Sequence, residues 1–411
     1  MCKAMLISVG GSPQPIVKSI KNYKPEFVSF LVSQQTSEIT ILIVNALKEE
    51  KISFEYEQTI CDNPEDLKEC YKSAEKAVFR IEKKGFASTD TVVDYTGGTK
   101  SMSVALALAS INYGFSYSYV GGTERTKGGV GVVVDGKEQI FSSINPWDFL
   151  AMKERETIAT LFNSYQFKSA KEVADSLTNK TTKYRSLFRK IGLIIEGFYQ
   201  WDLFRHADAL RMFERAKVDD MLLEYEEDWV QQFAEDVLAS VLKLKEVIND
   251  ISKPGIAMIY DLFSNAERRY EEGKIDDAIL RLYRIVEMIA QTKLAGKYGI
   301  DVSNTSVEKI PESLREEFIK KYLDEDSKKL KIPQNAAFLL LKELGDEVGK
   351  VFVKNEKNFK AIQHSRNYSY LAHGFQSSSP QNYSSFRDFV LSLNVIDPSK
   401  VWQFPKLKTS R

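Results

Sequence analysis

The sequence is short of the residues that most often announce a chemistry. Its 411 residues include three cysteines, Cys2, Cys61 and Cys70, and three histidines, His206, His364 and His373. Three cysteines without a Cys-x-x-Cys spacing make neither a disulfide framework nor a cysteine zinc site, and they suit a reducing cytosol. No apolar run reaches the ~18 residues of a membrane span. The first residues, MCKAMLISVGG, lack the flanks of a signal peptide and read as a strand. No cluster of Asp, Glu and His suggests a metal. Charge of one sign is also missing. Lys plus Arg and Asp plus Glu both number 57, which excludes a globally basic nucleic-acid coat and leaves room only for a local patch. The expectation is a cytoplasmic protein with no membrane partner, no metal and no resident cofactor. What is present is ordinary for a folded chain: 43% hydrophobic and 28% charged residues. At roughly 100–200 residues per domain, the length asks for two or three domains.

The N-terminal third alternates strand and helix. Strands are expected at 3–9, 27–33, 53–60, 91–96 and 115–120, with a hairpin about Asp135-Gly136 joining 130–134 to KEQIFSS. Helices are expected after Pro13 and Pro15, over 36–50, from Pro64 to Lys84, and over 99–113. Such alternation implies a mostly parallel sheet with right-handed crossovers. Ligands of these sheets bind at the carboxyl ends of the strands. Four loops there share one chemistry. They hold Gly10, Gly11, Ser12 and Gln14; Ser33, Gln34 and Thr36; Thr96, Gly97, Gly98, Thr99 and Lys100; and Gly122 with Arg125. Glycines let backbone approach a ligand, helix starts favour phosphate, hydroxyls and amides supply neutral hydrogen bonds, and Lys100 and Arg125 supply charge. Two phosphate motifs are absent. A Walker A loop needs glycine where Asp94 and Thr99 stand, and no GxGxxG follows the first strand.

The stretch DYTGGTKSMSVALALA (94–109), between an apolar strand and an Ala-rich helix, resembles the signature of CARF domains in type III CRISPR effectors. The Gly-Gly-Ser after the first strand and the SQQTS loop match the same pattern. The resemblance covers about 1–145. It implies a Rossmann-like domain that binds a cyclic oligoadenylate, tetra- or hexa-adenylate, across the two-fold axis of a homodimer.

From Pro146 onward the chain reads as helix. LFNSYQFKSAKEVA, WDLFRHADALRMF and EEGKIDDAILRLYR each place a short turn between helices, giving helix pairs rather than a repeat array. ISKPG (251–255) is a break and a plausible boundary. His206 reads as a partly exposed helix residue with no partner. In FKAIQHSRNYSYLAHGF (359–375), Arg366 and His373 stand seven residues apart. On a helix that puts them within ~20° of one face and ~10.5 Å apart along the axis. A fixed guanidinium and a residue that moves protons near neutral pH suit a phosphodiester, and Asn367 could orient the arginine. The spacing by itself is also common among surface residues.

RNYSYLAH resembles the R-x4-6-H motif of HEPN ribonucleases, with the polar residue after the arginine that the family prefers. The helix DDAILRLYRIVEMIAQTKL (276–294) is similar to the first long helix of those domains, with Arg281, Arg284 and Glu287 on one face. The order CARF then HEPN resembles the CARF–HEPN ribonucleases of type III CRISPR systems. It implies a sensing domain at 1–148, a helical connector at 149–255 and an all-helical HEPN domain at 256–411. It also implies a homodimeric endoribonuclease for single-stranded RNA, switched on by cyclic oligoadenylate in antiviral defence. Arg366, Asn367 and His373 would be catalytic, leaving a 2′,3′-cyclic phosphate, and slow ring cleavage at Thr99 and Lys100 is a further possibility. Three rivals remain: a ligand-responsive regulator without nuclease activity, with TTKYRSLFRK (181–190) as its DNA-reading segment; a DNA nuclease, which needs carboxylates around C-terminal strands; and a nucleotide-dependent metabolic enzyme.

Overall fold

In the computed structural model, residues 2–122, 124, 133–134, 136–250, 255–367, 375 and 377–408 are described. They form two compact units. One comprises Met1–Ile158 with Glu172–Gly192, the other Ala159–Lys171 with Leu193–Arg411.

The first unit is built on strands β1 (Ala4–Ser8), β2 (Phe27–Ser33), β3 (Glu55–Cys61), β4 (Thr91–Asp94), β5 (Ser116–Gly122) and β6 (Glu138–Ile144). Their order in the sheet is β3-β2-β1-β4-β5-β6. The first five are parallel and β6 runs antiparallel to β5. Helices α1 (Gln14–Tyr23), α2 (Ile39–Glu49), α3 (Leu67–Lys83) and α4 (Lys100–Ser110) make the connections. Every residue of β1 and β2 is buried, as it must be when helices cover both faces. Alternate side chains enter separate cores. Met5 and Ile7 meet Ile16, Ile20, Ile43 and Leu47 of α1 and α2. Ala4 and Leu6 meet Ala74, Val78, Met102 and Leu106 of α3 and α4. Helix α3 starts later than Pro64 suggests because Asp66 is its cap, accepting from the backbone N–H groups of Lys68 at 2.8 Å and Glu69 at 3.1 Å. The fourth strand ends at Asp94, two residues earlier than expected, where the chain turns into the glycine loop. The strand expected at 130–134 lies largely outside the described residues.

After β6 come α5 (Trp147–Asn163), α6 (Phe167–Lys180), α7 (Arg185–Asp202), α8 (His206–Ala216), α9 (Val218–Glu224), α10 (Asp228–Asp250), α11 (Ile256–Glu271) and α12 (Ile275–Tyr298). Then follow α13 (Glu312–Tyr322), α14 (Gln334–Glu343), α15 (Glu347–Lys354), α16 (Glu356–Asn367) and α17 (Pro380–Ser392). The three expected turns are present and share one construction. Tyr165, Phe204 and Gly273 adopt positive φ of 60°, 59° and 74°. The next residue's N–H then reaches back to a carbonyl five residues earlier, Gln166 to Leu161, Arg205 to Gln200 and Lys274 to Arg269, at 2.8–2.9 Å. This is a Schellman closure, which satisfies carbonyls that a helix end leaves open.

The core of the second unit is aromatic. Phe338 and Phe352 stack at 3.8 Å between centroids, and Phe359 lies 5.1 Å from both Phe352 and Phe389. The same unit holds a buried charge cluster. Asp202, at the end of α7, accepts from Arg268 Nε at 3.0 Å, from Asn265 Nδ2 at 3.0 Å, and from Arg269. The Arg268 guanidinium is fully buried and lies 3.7 Å from the Phe404 ring centroid. Removing the carboxylate strands that cation. Asp202→Ala should therefore lower unfolding free energy by about 3–5 kcal/mol, read from the urea transition of the helical part. A loss under 1 kcal/mol would reject the assignment.

Candidate functional site

The topology brings the predicted ligand-facing loops to one edge. Strands β2, β1, β4 and β5 are adjacent and parallel, so the loops after them leave from the same end of the sheet. The sheet order reverses between β1 and β4, the point at which such folds open a crevice. There the two glycine loops touch through their backbones. A Cβ on Gly10 would come within 2.7 Å of Gly98 N. One on Gly97 would meet Ser8 O at 2.5 Å and Gly10 N at 2.7 Å. Ser8 Oγ donates to Gly97 O at 2.6 Å. Gly98 has φ of +85°, where a side chain is strained.

A carboxylate supports this junction from below, and its position in the sequence did not reveal it. Asp94 is completely buried. It accepts from Ser19 Oγ of α1 and, at 3.0 Å, from the backbone N–H of Thr96. Burial pushes its carboxyl above the usual carboxylate range, and the donated hydrogen bonds pull the other way.

The candidate ligand residues divide by what already occupies them. Thr96 Oγ1 accepts from Val120 N at 2.7 Å, tying the loop to β5. Thr99 caps α4, accepting from Met102 N at 3.2 Å, and donates to Pro64 O. Ser33 and Thr36 bond one another, with Ser33 N donating to Thr36 Oγ1 at 2.9 Å. A Cβ on Gly122 would collide with Val133 Cγ1 at 2.3 Å, so the β5–β6 hairpin already uses its small size. Gly11, Ser12, Gln14, Gln34 and Lys100 are exposed along the edge. Arg125 lies outside the described residues.

In the second unit, helix α16 carries the backbone of Arg366 and Asn367. His373 lies outside the described residues, and so does the face it was expected to share with Arg366. Arg281 is already bonded within the helical unit. Its Nε donates to Asn265 and its Nη1 to Asp277 O at 2.8 Å, so it braces α11 against α12. Arg284 pairs with Glu287 at 3.0 Å. His364 is exposed. The reading of His206 needs correction. It is buried at the first position of α8, with Nε2 2.9 Å from Asp261 Oδ2, while Trp201 Nε1 donates to the other oxygen at 2.8 Å. A partner 55 residues away is invisible to a reading along the chain. The segment 181–190 opens the 18-residue helix α7, whose Leu187, Phe188, Ile191 and Ile195 are buried. After β6, the described residues hold only two isolated bridges, Thr305 with Leu330 and Leu323 with Leu330, so no sheet is there to mount a strand-based nuclease site.

Among the described residues no group of three or more His, Cys, Asp or Glu is placed to hold a metal ion, and no helix is long and apolar enough to cross a membrane. The fold joins an open α/β sheet with a glycine-built edge to an all-helical region.

Comparison with known proteins gives the family. Residues 248–397 match the model of the Csm6 HEPN domain and 150–242 that of the Csm6 6H domain. Enterococcus italicus Csm6 bound to cyclic hexa-2′-fluoro-hexa-dAMP aligns over 96% of this chain and 93% of that one, with TM-score 0.61 and 13% identity, which shows a shared fold. Can2 from Sulfobacillus thermosulfidooxidans in complex with cyclic tetra-adenylate aligns over 50% of this chain and 68% of that one at 12% identity. A type III CRISPR defence DNA nuclease activated by cyclic oligoadenylate aligns over 47% and 34% at 14% identity. Both of the latter have TM-score 0.26 and carry no argument. No curated protein matches the chain. The two family models together match more than half of the chain, which belongs to the CARF–HEPN proteins of type III CRISPR systems. Its HEPN domain makes it a CRISPR ribonuclease.

The buried Asp94 gives a pH dependence with a definite sign. The folded state keeps a proton that the unfolded chain releases near pH 4. The group's contribution to stability is full below that pH and declines as pH rises toward the raised folded value. The stability difference between Asp94→Asn and wild type, measured by urea denaturation from pH 4 to 8, should move in favour of the variant as pH rises. A difference that stays flat with pH would contradict the buried, proton-holding carboxyl.

Proposed function

We propose that the chain is a homodimeric endoribonuclease switched on by cyclic oligoadenylate and acting without a metal ion. The reading is carried by the match of 248–397 to a Csm6 HEPN domain. It is supported by the backbone-to-backbone glycine junction at the sheet edge and by Enterococcus italicus Csm6, a protein of the same fold bound to cyclic hexa-2′-fluoro-hexa-dAMP. Residues 1–148 sense the ring, 149–255 relay the change and 256–411 cut single-stranded RNA. At the sensing edge, Gly10, Gly11, Gly97 and Gly98 allow close approach of ring phosphates. Ser12, Gln14, Gln34 and Lys100 supply hydrogen bonds and charge from exposed positions. Arg125 adds a second cation. Ser33, Thr36, Thr96, Thr99 and Gly122 shape the loops and offer whatever hydrogen-bonding capacity the scaffold leaves.

At the effector, the RNA 2′-OH attacks the adjacent phosphorus and the 5′-oxygen leaves, giving a 2′,3′-cyclic phosphate and a 5′-OH. Arg366 holds the charge that develops on the non-bridging oxygens. His373 moves the proton, and Asn367 orients the arginine or the phosphate. Slow opening of the bound ring by the same internal attack, beside Thr99 and Lys100, would let the sensor time its own signal.

The deciding assay is cleavage of a fluorescent single-stranded RNA by the full chain in EDTA, with no activator, cyclic tetra-adenylate or cyclic hexa-adenylate. Cleavage should appear with one ring, and Arg366→Ala and His373→Ala should each reduce it by roughly 100-fold or more while retaining ring binding. Binding without cleavage under any condition would favour a regulator without nuclease activity. Cleavage restored only by added Mg²⁺ would overturn metal independence.

A further inference from the structure

Helix α12 holds both flanks of the segment that carries the three catalytic candidates. Upstream of them, on α16, Gln363 Nε2 donates to Tyr283 Oη at 3.4 Å, and the ring of Tyr283 stacks against that of Phe359 at 21°, 6.3 Å between centroids. Phe359 is fully buried, so this end of α16 is fixed in the core. Downstream, Ser378 donates to Asp276 twice, from Oγ and, at 3.3 Å, from its backbone N–H. The next residue, Ser379, closes a capping box on α17. It receives Asn382 N at 3.2 Å and donates its own N–H to Asn382 Oδ1 at 2.8 Å. Gln363 stands three residues before Arg366, and Ser378 five after His373.

The two anchors are themselves a fixed distance apart. Asp276 and Tyr283 are seven residues from one another within α12. They therefore share a face to within ~20° and stand ~10.5 Å apart along its axis. The packing of α12 is rigid, with Ile279, Leu282, Ile285 and Val286 buried in the helical core. A helix in that state acts as a spacer whose length the flanking segments must match.

We propose that Asp276 and Tyr283 are positioning residues for RNA cleavage, fixing Ser378 and Gln363, the described flanks of the segment that carries Arg366, Asn367 and His373. The inference rests on the ribonuclease reading above. Neither residue need touch the RNA. A displacement of about 1 Å between reacting groups can cost roughly 100-fold in rate, so a lost anchor should act on turnover rather than on substrate affinity.

The test measures kcat and KM on the fluorescent single-stranded RNA, with the full chain and whichever ring activates it. Asp276→Ala should lower kcat about tenfold or more with KM within about twofold, and Asp276→Asn, which keeps an acceptor oxygen, should recover part of the loss. Ser378→Ala should lower kcat less. The double variant should be no slower than Asp276→Ala, because both changes break the same link. Tyr283→Phe should lower kcat modestly, with KM unchanged. Full kcat in Asp276→Ala, while His373→Ala is inactive, overturns the inference and leaves the ribonuclease reading standing. So do losses that multiply in the double variant, or a change confined to KM. Should Asp276→Ala fail to fold, Asp276→Asn and Ser378→Ala carry the comparison, and full kcat in both overturns the inference. A wild-type chain that cuts no RNA with either ring overturns both readings together.

Discussion

A carboxylate taken out of water costs several kcal/mol unless donors surround it, and the helical unit is arranged about one that is surrounded. Asp202 closes α7 and draws Asn265, Arg268 and Arg269 of α11 to itself. Those contacts set which face of α11 meets the end of α7. Asp261 then faces Trp201 and His206, and Asn265 is placed to receive Arg281 of α12. On another side of the same helix, Glu267 accepts from Tyr383 and, at 2.8 Å, from Arg387 Nε of α17. The end of α7 and the start of α8 are thereby held to α11 through paired buried groups, where a purely apolar contact would tolerate sliding.

The α/β unit uses the same device on a smaller scale. Its sheet reverses order between β1 and β4, and two turns must meet there with almost no space between them. Glycine solves the steric half of that problem at Gly10 and Gly97, because any Cβ would enter a neighbouring backbone. Asp94 solves the other half by gathering the Ser19 hydroxyl and the Thr96 N–H beneath the turn. Several hydroxyls that look like ligand contacts along the chain are already committed to this scaffold. Gly11, Ser12, Gln14, Gln34 and Lys100 stay exposed along that edge.

Much of this was legible in the residues. Strand β2 runs over 27–33 as its apolar pattern predicts, and the Schellman turns fall where the helical periodicity breaks. The two motifs, DYTGGTKSMSV and RNYSYLAH, point to one family, and the family models agree for the helical part. The misreadings have a common cause. His206 looked partnerless because Asp261 lies 55 positions on, and the partner of Arg281, Asn265, is likewise on another helix. Nothing nearby in the chain hints that Thr99 also bonds Pro64 or that Thr96 also bonds Val120.

By itself, then, the sequence determined the local features: which segments alternate and which repeat at 3.6, where a glycine or a left-handed residue ends a helix, and which short motifs stand ready for phosphate chemistry. These depend on interactions within a few residues, and spacing encodes them directly. Only the tertiary structure decided which polar groups are spent and which remain. The bonds of Asp94 to Ser19, of Asp202 to Arg268 and of Asp276 to Ser378 join positions 75, 66 and 102 residues apart. Such pairs form because packed helices and strands bury their polar groups together, and a buried donor or acceptor must find its partner wherever the fold has put one.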